Sequence, residues 1–135
     1  MSLLVLDASI TANWLLGDEF DPRAIAALDL LGLAGAFVPQ LWHYEVRNVL
    51  LVAERRGRLL KEQTEERLDS LKGLPIFIDR EPDLHTAFNI ARQHGLSFYD
   101  ALYLELAKRR RAALATLDAK LARAALAEGL EVPSG

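Results

Sequence analysis

Short apolar runs alternate along the chain with longer segments in which apolar residues recur every three or four positions. The runs lie at residues 3–6, 36–38, 75–78, 113–117 and 130–132. A continuous apolar run that ends at a charged or turn residue is typical of a strand buried on both faces. Because helical segments separate the runs, the pattern predicts an α/β fold with a mostly parallel, five-stranded sheet and helices on both faces.

Proline, serine and glycine residues mark the ends of the predicted helices. Pro82 is expected to begin a helix that ends at Gly95, and Ser97 is expected to cap the next one. Two longer segments, at about 41–56 and 61–72, show amphipathic spacing on either side of a glycine. We expect these two segments to form a helical hairpin.

Composition places the chain among ordinary globular domains and narrows its chemistry. Its 135 residues fit one domain spanning 1–135. The lack of cysteine excludes disulfides and thiolate zinc sites and favours the cytoplasm. No run approaches the roughly 18 apolar residues of a membrane span, and the opening segment lacks a basic leader, so we expect neither a span nor a secretion signal.

The net charge of −3 and the pI of about 5.6 argue against a protein that grips nucleic acid with a broad basic face. They leave open an enzyme that holds a phosphate through bound metal, since cations reverse the local charge.

Four carboxylates stand where such a fold would bring them together. Asp7 follows the first strand, Asp118 follows the fourth, Asp100 opens a helix, and Glu45 lies near the start of the long helix. Ligands of parallel sheets bind beyond the carboxyl ends of the strands. Clustered carboxylates repel one another unless a cation holds them, and oxygen ligands suit Mg²⁺ or Mn²⁺. The positions therefore predict a metal site.

Each carboxylate also has a simpler interpretation. Asp7 and Asp118 are good helix N-caps, and Ser97 with Asp100 fits a capping box. Glu45 could lie on a solvated helix face, as most glutamates do. Capping explains each aspartate separately but gives no reason for the four side chains to converge.

With these four acids in order, the chain resembles the PIN-domain ribonucleases and, among them, the VapC toxins of toxin–antitoxin pairs. The resemblance lies in residues 5–9, 39–50, 97–103 and 114–121, in that order. It implies a three-layer α/β/α domain whose parallel sheet has the strand order 3-2-1-4-5.

The resemblance also implies a Mg²⁺- or Mn²⁺-dependent endoribonuclease that hydrolyses RNA in line and leaves a 5′-phosphate and a 3′-hydroxyl. Its metal-binding and catalytic acids would be Asp7, Glu45, Asp100 and Asp118. The supporting polar groups would be Ser9, Asn48 and Thr116. Thr116 offers a hydroxyl for a metal-bound water, and Asn48 lies three residues after Glu45 on the same helix.

Partners follow from the same resemblance. The substrate would be RNA, the helical hairpin would receive a VapB-like antitoxin, and a homodimer is expected. Lys120 and Arg123 are the nearest candidates for RNA contact, whereas the basic run at 108–111 suits a helix C-terminus. Trp14, Trp42 and Tyr44 could stack on bases, although core packing is the simpler interpretation.

Two other functions stay open. One is an aspartate phosphotransfer domain of the receiver or haloacid-dehalogenase-like kind. The second of these types needs another aspartate two residues after the first, and Ser9 stands there. The other function is a non-catalytic binding module on the same fold.

Overall fold

The structure is a computed structural model that describes residues 3–134, and a parallel sheet of four strands lies at its centre. The strands are Leu4–Leu6 (β1), Ala36–Pro39 (β2), Ile76–Asp79 (β3) and Ala113–Ala115 (β4). Their order in the sheet is β3-β2-β1-β4, as expected for the first four strands. All three neighbouring pairs are parallel, so their carboxyl ends share one edge.

Seven helices connect and surround these strands within residues 3–134. They are Ala8–Leu16 (α1), Pro22–Ala34 (α2), Gln40–Arg55 (α3), Lys61–Leu71 (α4), Leu84–His94 (α5), Phe98–Arg110 (α6) and Ala119–Ala127 (α7). Helix α2 packs against β1 and β4, whereas α6 packs against β1, β2 and β4. In that part of the chain, no helix combines the length and the apolar character that crossing a bilayer requires.

Strand β1 shows why an apolar run becomes a central strand. Leu4, Val5 and Leu6 are all at most 1% exposed. Successive strand side chains point to opposite faces, so both faces of β1 are covered. Asp7 follows at once, and its backbone N–H donates to the carbonyl of Ala115 at 3.1 Å. This bond fixes the end of β1 to the end of β4.

The predicted fifth strand at residues 130–132 is wrong. Only one backbone bond of the expected ladder forms there, from the N–H of Leu114 to the carbonyl of Glu131 at 2.9 Å. Pro133 follows directly, and proline has no N–H with which to extend a ladder. The segment therefore runs beside β4 without becoming part of the sheet.

Helix α5 begins two residues later than expected. Asp83 is its N-cap and accepts the N–H of Thr86 at 3.0 Å, so Pro82 lies outside the helix. A carboxylate can take up a free N–H of the first turn, which a proline cannot do. The glycine at the other end, Gly95, has φ 64° and adopts the left-handed conformation expected of a helix stop.

Candidate functional site

A cavity of about 230 Å³ lies beyond the carboxyl ends of β1 and β4. Its walls are formed by Asp7, Ala8, Ser9, Glu45, Val49, Asp100, Tyr103 and Asp118. All four acids that the sequence singles out therefore line one cavity. Larger cavities lie beside Lys108 and beside Trp42, so the chemistry of the walls, and not size, identifies this one.

Asp7 is the most enclosed of the four acids, at 5% exposed. As N-cap of α1, its Oδ1 accepts the N–H groups of Ser9 at 3.0 Å and Ile10 at 3.2 Å. The Ser9 hydroxyl also donates to Oδ1, and the Thr116 hydroxyl donates to Oδ2. Burial raises the pKa of the Asp7 carboxyl above its ordinary value, although these hydrogen bonds oppose the rise.

Ser9, in the first turn of α1, and Thr116, directly after β4, join the ends of β1 and β4. The Ser9 hydroxyl accepts the N–H of Leu117 at 2.9 Å, and the Thr116 hydroxyl accepts the N–H of Asp118 at 3.0 Å. Thr116 is fully buried. Its hydroxyl is thus held between two aspartates, donating to Asp7 and accepting from Asp118. Ser9 and Thr116 both orient Asp7, and a contact of Thr116 with a metal-bound water stays a prediction.

Asp118 and Asp100 lie nearer to solvent. Asp118 caps α7, with Oδ1 accepting the N–H of Leu121 at 2.8 Å, and is exposed. Asp100 lies in the first turn of α6, where its own N–H donates to the Ser97 hydroxyl at 3.1 Å. Burial raises the pKa of Asp100, and the neighbouring charge of Asp118 raises it further, while Ser97 and Lys120 act in the opposite direction. Capping and a place in the cavity are thus compatible.

Glu45 reaches the cavity from α3. The hydroxyl of Tyr103 donates to its Oε1 at 2.6 Å. Burial raises the pKa of Glu45, and the charges of Asp100 and Asp7 add to the rise, while the Tyr103 hydrogen bond opposes it. These mutual effects are those expected of carboxylates that share one site.

The prediction that Asn48 lies beside Glu45 on the cavity wall is wrong. Asn48 is exposed and is absent from the walls of the cavity, whereas Val49 is part of them. At 3.6 residues per turn, the fourth residue after Glu45 lies closer to its face than the third does. Tyr103 is a site residue that the sequence reasoning missed. The signal that could have found it is its spacing, three residues after Asp100 on one helix.

The donor set suits a hard divalent cation, because it consists of carboxylate oxygens with no sulfur or imidazole. Across residues 3–134, no three acidic or histidine side chains already converge closely enough to hold one ion. Binding would therefore require side-chain rotations, for which Asp100 and Asp118 have more room than the buried Asp7 or the hydrogen-bonded Glu45. The cavity therefore has residues that suit a divalent cation, and Asp7 is the one whose side chain is already held in place.

Two arginines of the basic run at the end of α6 make internal contacts. Arg109 donates to Asp79 and Glu105, and Arg110 donates to Asp79 and lies over the ring of Phe37. These two arginines therefore fasten α6 to β3 and do not form an open basic surface.

Other basic and aromatic residues are distributed as follows. The Lys120 side chain lies beside Gly95 and acts on Asp100, which places it near the cavity. Trp42 is 2% exposed and its Nε1 donates to the Thr11 hydroxyl at 3.0 Å, which confirms core packing. Tyr44 is exposed.

Comparisons with known proteins agree with this geometry. The pattern of the PIN domain family matches residues 4–126. Ribonuclease VapC3 from Pyrobaculum aerophilum is 35% identical over 129 residues, which cover 88% of this chain and 92% of that protein.

Two solved structures have the same fold. One is PAE2754 from Pyrobaculum aerophilum, with a TM-score of 0.68, 22% identity and coverage of 98% of this chain and 90% of that one. The other is FitAcB from Neisseria gonorrhoeae, with a TM-score of 0.66, 20% identity and coverage of 96% and 95%.

Proposed function

This chain belongs to the PIN-domain family, and from that premise we propose that it is a metal-dependent endoribonuclease of the VapC type, the toxin of a toxin–antitoxin pair. The observation that carries the proposal is the convergence of Asp7, Glu45, Asp100 and Asp118 on one cavity. The similarity to Ribonuclease VapC3 supports both the substrate class and the toxin role. Such an enzyme would act on RNA in the cytoplasm.

Asp7, Glu45, Asp100 and Asp118 would hold one or two Mg²⁺ or Mn²⁺ ions. When bound, such an ion acidifies a water molecule and offsets charge on the phosphate that is attacked. The chain itself contributes orientation: Ser9 and Thr116 fix Asp7, and Tyr103 fixes Glu45. Asp100 and Asp118 lie at the more open side, where one of them would accept the proton of the attacking water.

The RNA would be held locally, because the net charge of the whole protein is negative. Lys120 opens α7 directly after Asp118 and acts electrostatically on Asp100. We assign it a contact with a substrate phosphate next to the cavity. An ammonium group there would favour the approach of a polyanion to a site that is otherwise acidic.

The antitoxin would bind along the helical hairpin. A groove of about 410 Å³ runs between α3, α4 and β3, with apolar walls that include Leu68, Leu74 and Ile76 and charged groups that include Arg47 and Glu65. Such a mixed groove suits an amphipathic peptide. Helix α3, which carries Glu45 into the acid cavity, also forms one wall of this groove. A homodimer is the assembly we propose.

The decisive experiment is RNA cleavage by the purified protein. With Mn²⁺ we expect cleavage that leaves 5′-phosphate ends, and with a chelator we expect none. Asp7→Asn should remove most activity, since it replaces the most enclosed acid without changing its shape. Leu126→Ala, an exposed site on the outside of α7, serves as a variant that should keep the wild-type rate.

The same experiment separates the alternatives. A non-catalytic module would bind RNA without cleaving it under any metal condition. A phosphotransfer domain would form a stable acyl-phosphate on Asp7 when incubated with acetyl phosphate.

A further inference from the structure

Tyr103 is a buried aromatic residue whose hydroxyl reaches the acid cavity. It is 1% exposed and lies on α6. Its hydroxyl donates to Oε1 of Glu45 at 2.6 Å, across 58 positions of sequence. A residue that only fills the core would use its ring, whereas here the polar tip is directed at a carboxylate of the site.

The contact restricts what Glu45 can do. A glutamate side chain has several rotatable bonds and loses considerable rotamer freedom when it is fixed. A tyrosine held by the core has few such bonds, so it is a rigid anchor for the carboxylate. The hydroxyl takes one lone pair of Oε1 and holds that oxygen toward α6, so the second oxygen, Oε2, is the freer of the two to face a cation.

We propose that Tyr103 is a positioning residue that makes Glu45 a one-oxygen ligand and so sets the cavity to prefer Mn²⁺ and Mg²⁺ over Ca²⁺. The inference rests on the proposed function, since it concerns the same site. Ca²⁺ takes six to eight oxygens and readily accepts both oxygens of one carboxylate, whereas Mg²⁺ requires a regular six-coordinate shell. A glutamate with one oxygen occupied therefore penalises Ca²⁺ more than Mg²⁺.

The test is calorimetric titration of the intact protein with Mn²⁺ and, separately, with Ca²⁺. Wild-type protein should bind Mn²⁺ at least about ten times more tightly than Ca²⁺ if Glu45 is restricted as described. In Tyr103→Phe the ring stays and only the hydroxyl is lost. Its Mn²⁺ affinity should fall about ten-fold, the usual cost of removing a group that orients a metal ligand.

The ratio of the two affinities separates positioning from packing. In Tyr103→Phe, Ca²⁺ binding should fall much less than Mn²⁺ binding, or tighten, because Glu45 can then offer both oxygens. Tyr99→Phe is the matched control: it removes a hydroxyl from the same helix at a side chain that is 60% exposed. It should change neither affinity by more than about two-fold, in line with surface substitutions generally.

Three outcomes would overturn the inference. They are equal losses for both metals in Tyr103→Phe, no loss for either, and a wild-type protein that binds Ca²⁺ as tightly as Mn²⁺. The last result needs no variant, so the inference can be refuted even if Tyr103→Phe does not fold. If wild-type protein binds neither metal, the proposed function fails together with this inference. Tight Mn²⁺ binding that the variant retains removes the inference alone.

Discussion

Replacing Arg109 by methionine should destabilise the fold far more than the loss of a surface charge would. Arg109 donates to both oxygens of Asp79, at 2.9 and 2.7 Å, and to both oxygens of Glu105, at 2.7 and 3.2 Å. The two carboxylates are only 5% and 2% exposed. Methionine keeps the apolar stem of the side chain and removes every one of these donors.

The magnitude follows from what remains around each carboxylate. Breaking a buried ion pair from one side costs about 3–5 kcal/mol. Asp79 keeps its bond from Arg110 at 2.9 Å, and Glu105 keeps the N–H of Asp83 at 3.1 Å, so we expect the lower figure, about 3 kcal/mol. For a domain of this size each kcal/mol lowers Tm by roughly 3–4 °C, which gives a decrease of about 10 °C.

The loss of stability in Arg109→Met should also depend on pH. Hydrogen bonds from Arg109 lower the pKa of Asp79 to about 2. A carboxylate with a lowered pKa stabilises the fold above its unfolded pKa of about 4, and this contribution disappears as pH falls toward the folded value. The difference in Tm between wild-type protein and Arg109→Met should therefore be full at pH 7 and should shrink below about pH 4.

Thermal and urea denaturation measure these differences. Arg111→Met, at the exposed neighbouring position, should change stability by less than about 0.5 kcal/mol. Adding Glu105→Leu to Arg109→Met removes the stranded carboxylate and should restore part of the lost stability. A cost below about 1 kcal/mol, as at an exposed ion pair, or a double variant less stable than the single one, would refute the reasoning.

Three further predictions concern the cavity. Thr116→Val should lower the free energy of unfolding by about 1–3 kcal/mol and weaken Mn²⁺ binding, since Asp7 loses a buried donor; calorimetry that shows unchanged binding would contradict this. The pKa values of Asp7, Glu45 and Asp100 are raised, so with chelator present Tm should fall as pH rises from about 4 through these raised values. Mn²⁺ should restore the lost Tm, and a Tm that rises over this pH range without metal would contradict the prediction. Lys120→Gln should raise KM for RNA and leave kcat unchanged. It should also reduce the slope of the logarithm of the binding constant against the logarithm of salt concentration by about one; an unchanged slope would contradict the contact assigned to Lys120.

Local sequence patterns were sufficient to predict most of the strands and helices. The run that ends at Asp7 predicts both a buried strand and the place of an acid at its carboxyl end, and Asp118 follows β4 in the same way. Because parallel strands end at one edge, two aspartates far apart in sequence could be placed together without coordinates. The segment at 130–132 misled the prediction because its composition suits a strand, while Pro133 limits the pairing.

Long-range contacts lay beyond the reach of such patterns. Nothing near Tyr103 in the sequence points to Glu45, and nothing near Arg109 points to Asp79, which is 30 positions away. These pairings depend on how α6 is rotated against α3 and β3. The position of Asn48 was wrong for a related reason, since the rotation of α3 decides which of two adjacent residues faces the cavity.

The central claim is that four carboxylates form one site that cuts RNA with the help of a divalent cation. The most direct measurement follows cleavage of a labelled RNA pool by wild-type protein and by Asp100→Asn, each with Mn²⁺ and with chelator. We predict cleavage by the wild-type protein with Mn²⁺ alone, and loss of nearly all of it in the folded variant. Cleavage that persists in chelator, or a folded Asp100→Asn protein with the wild-type rate, would contradict the account.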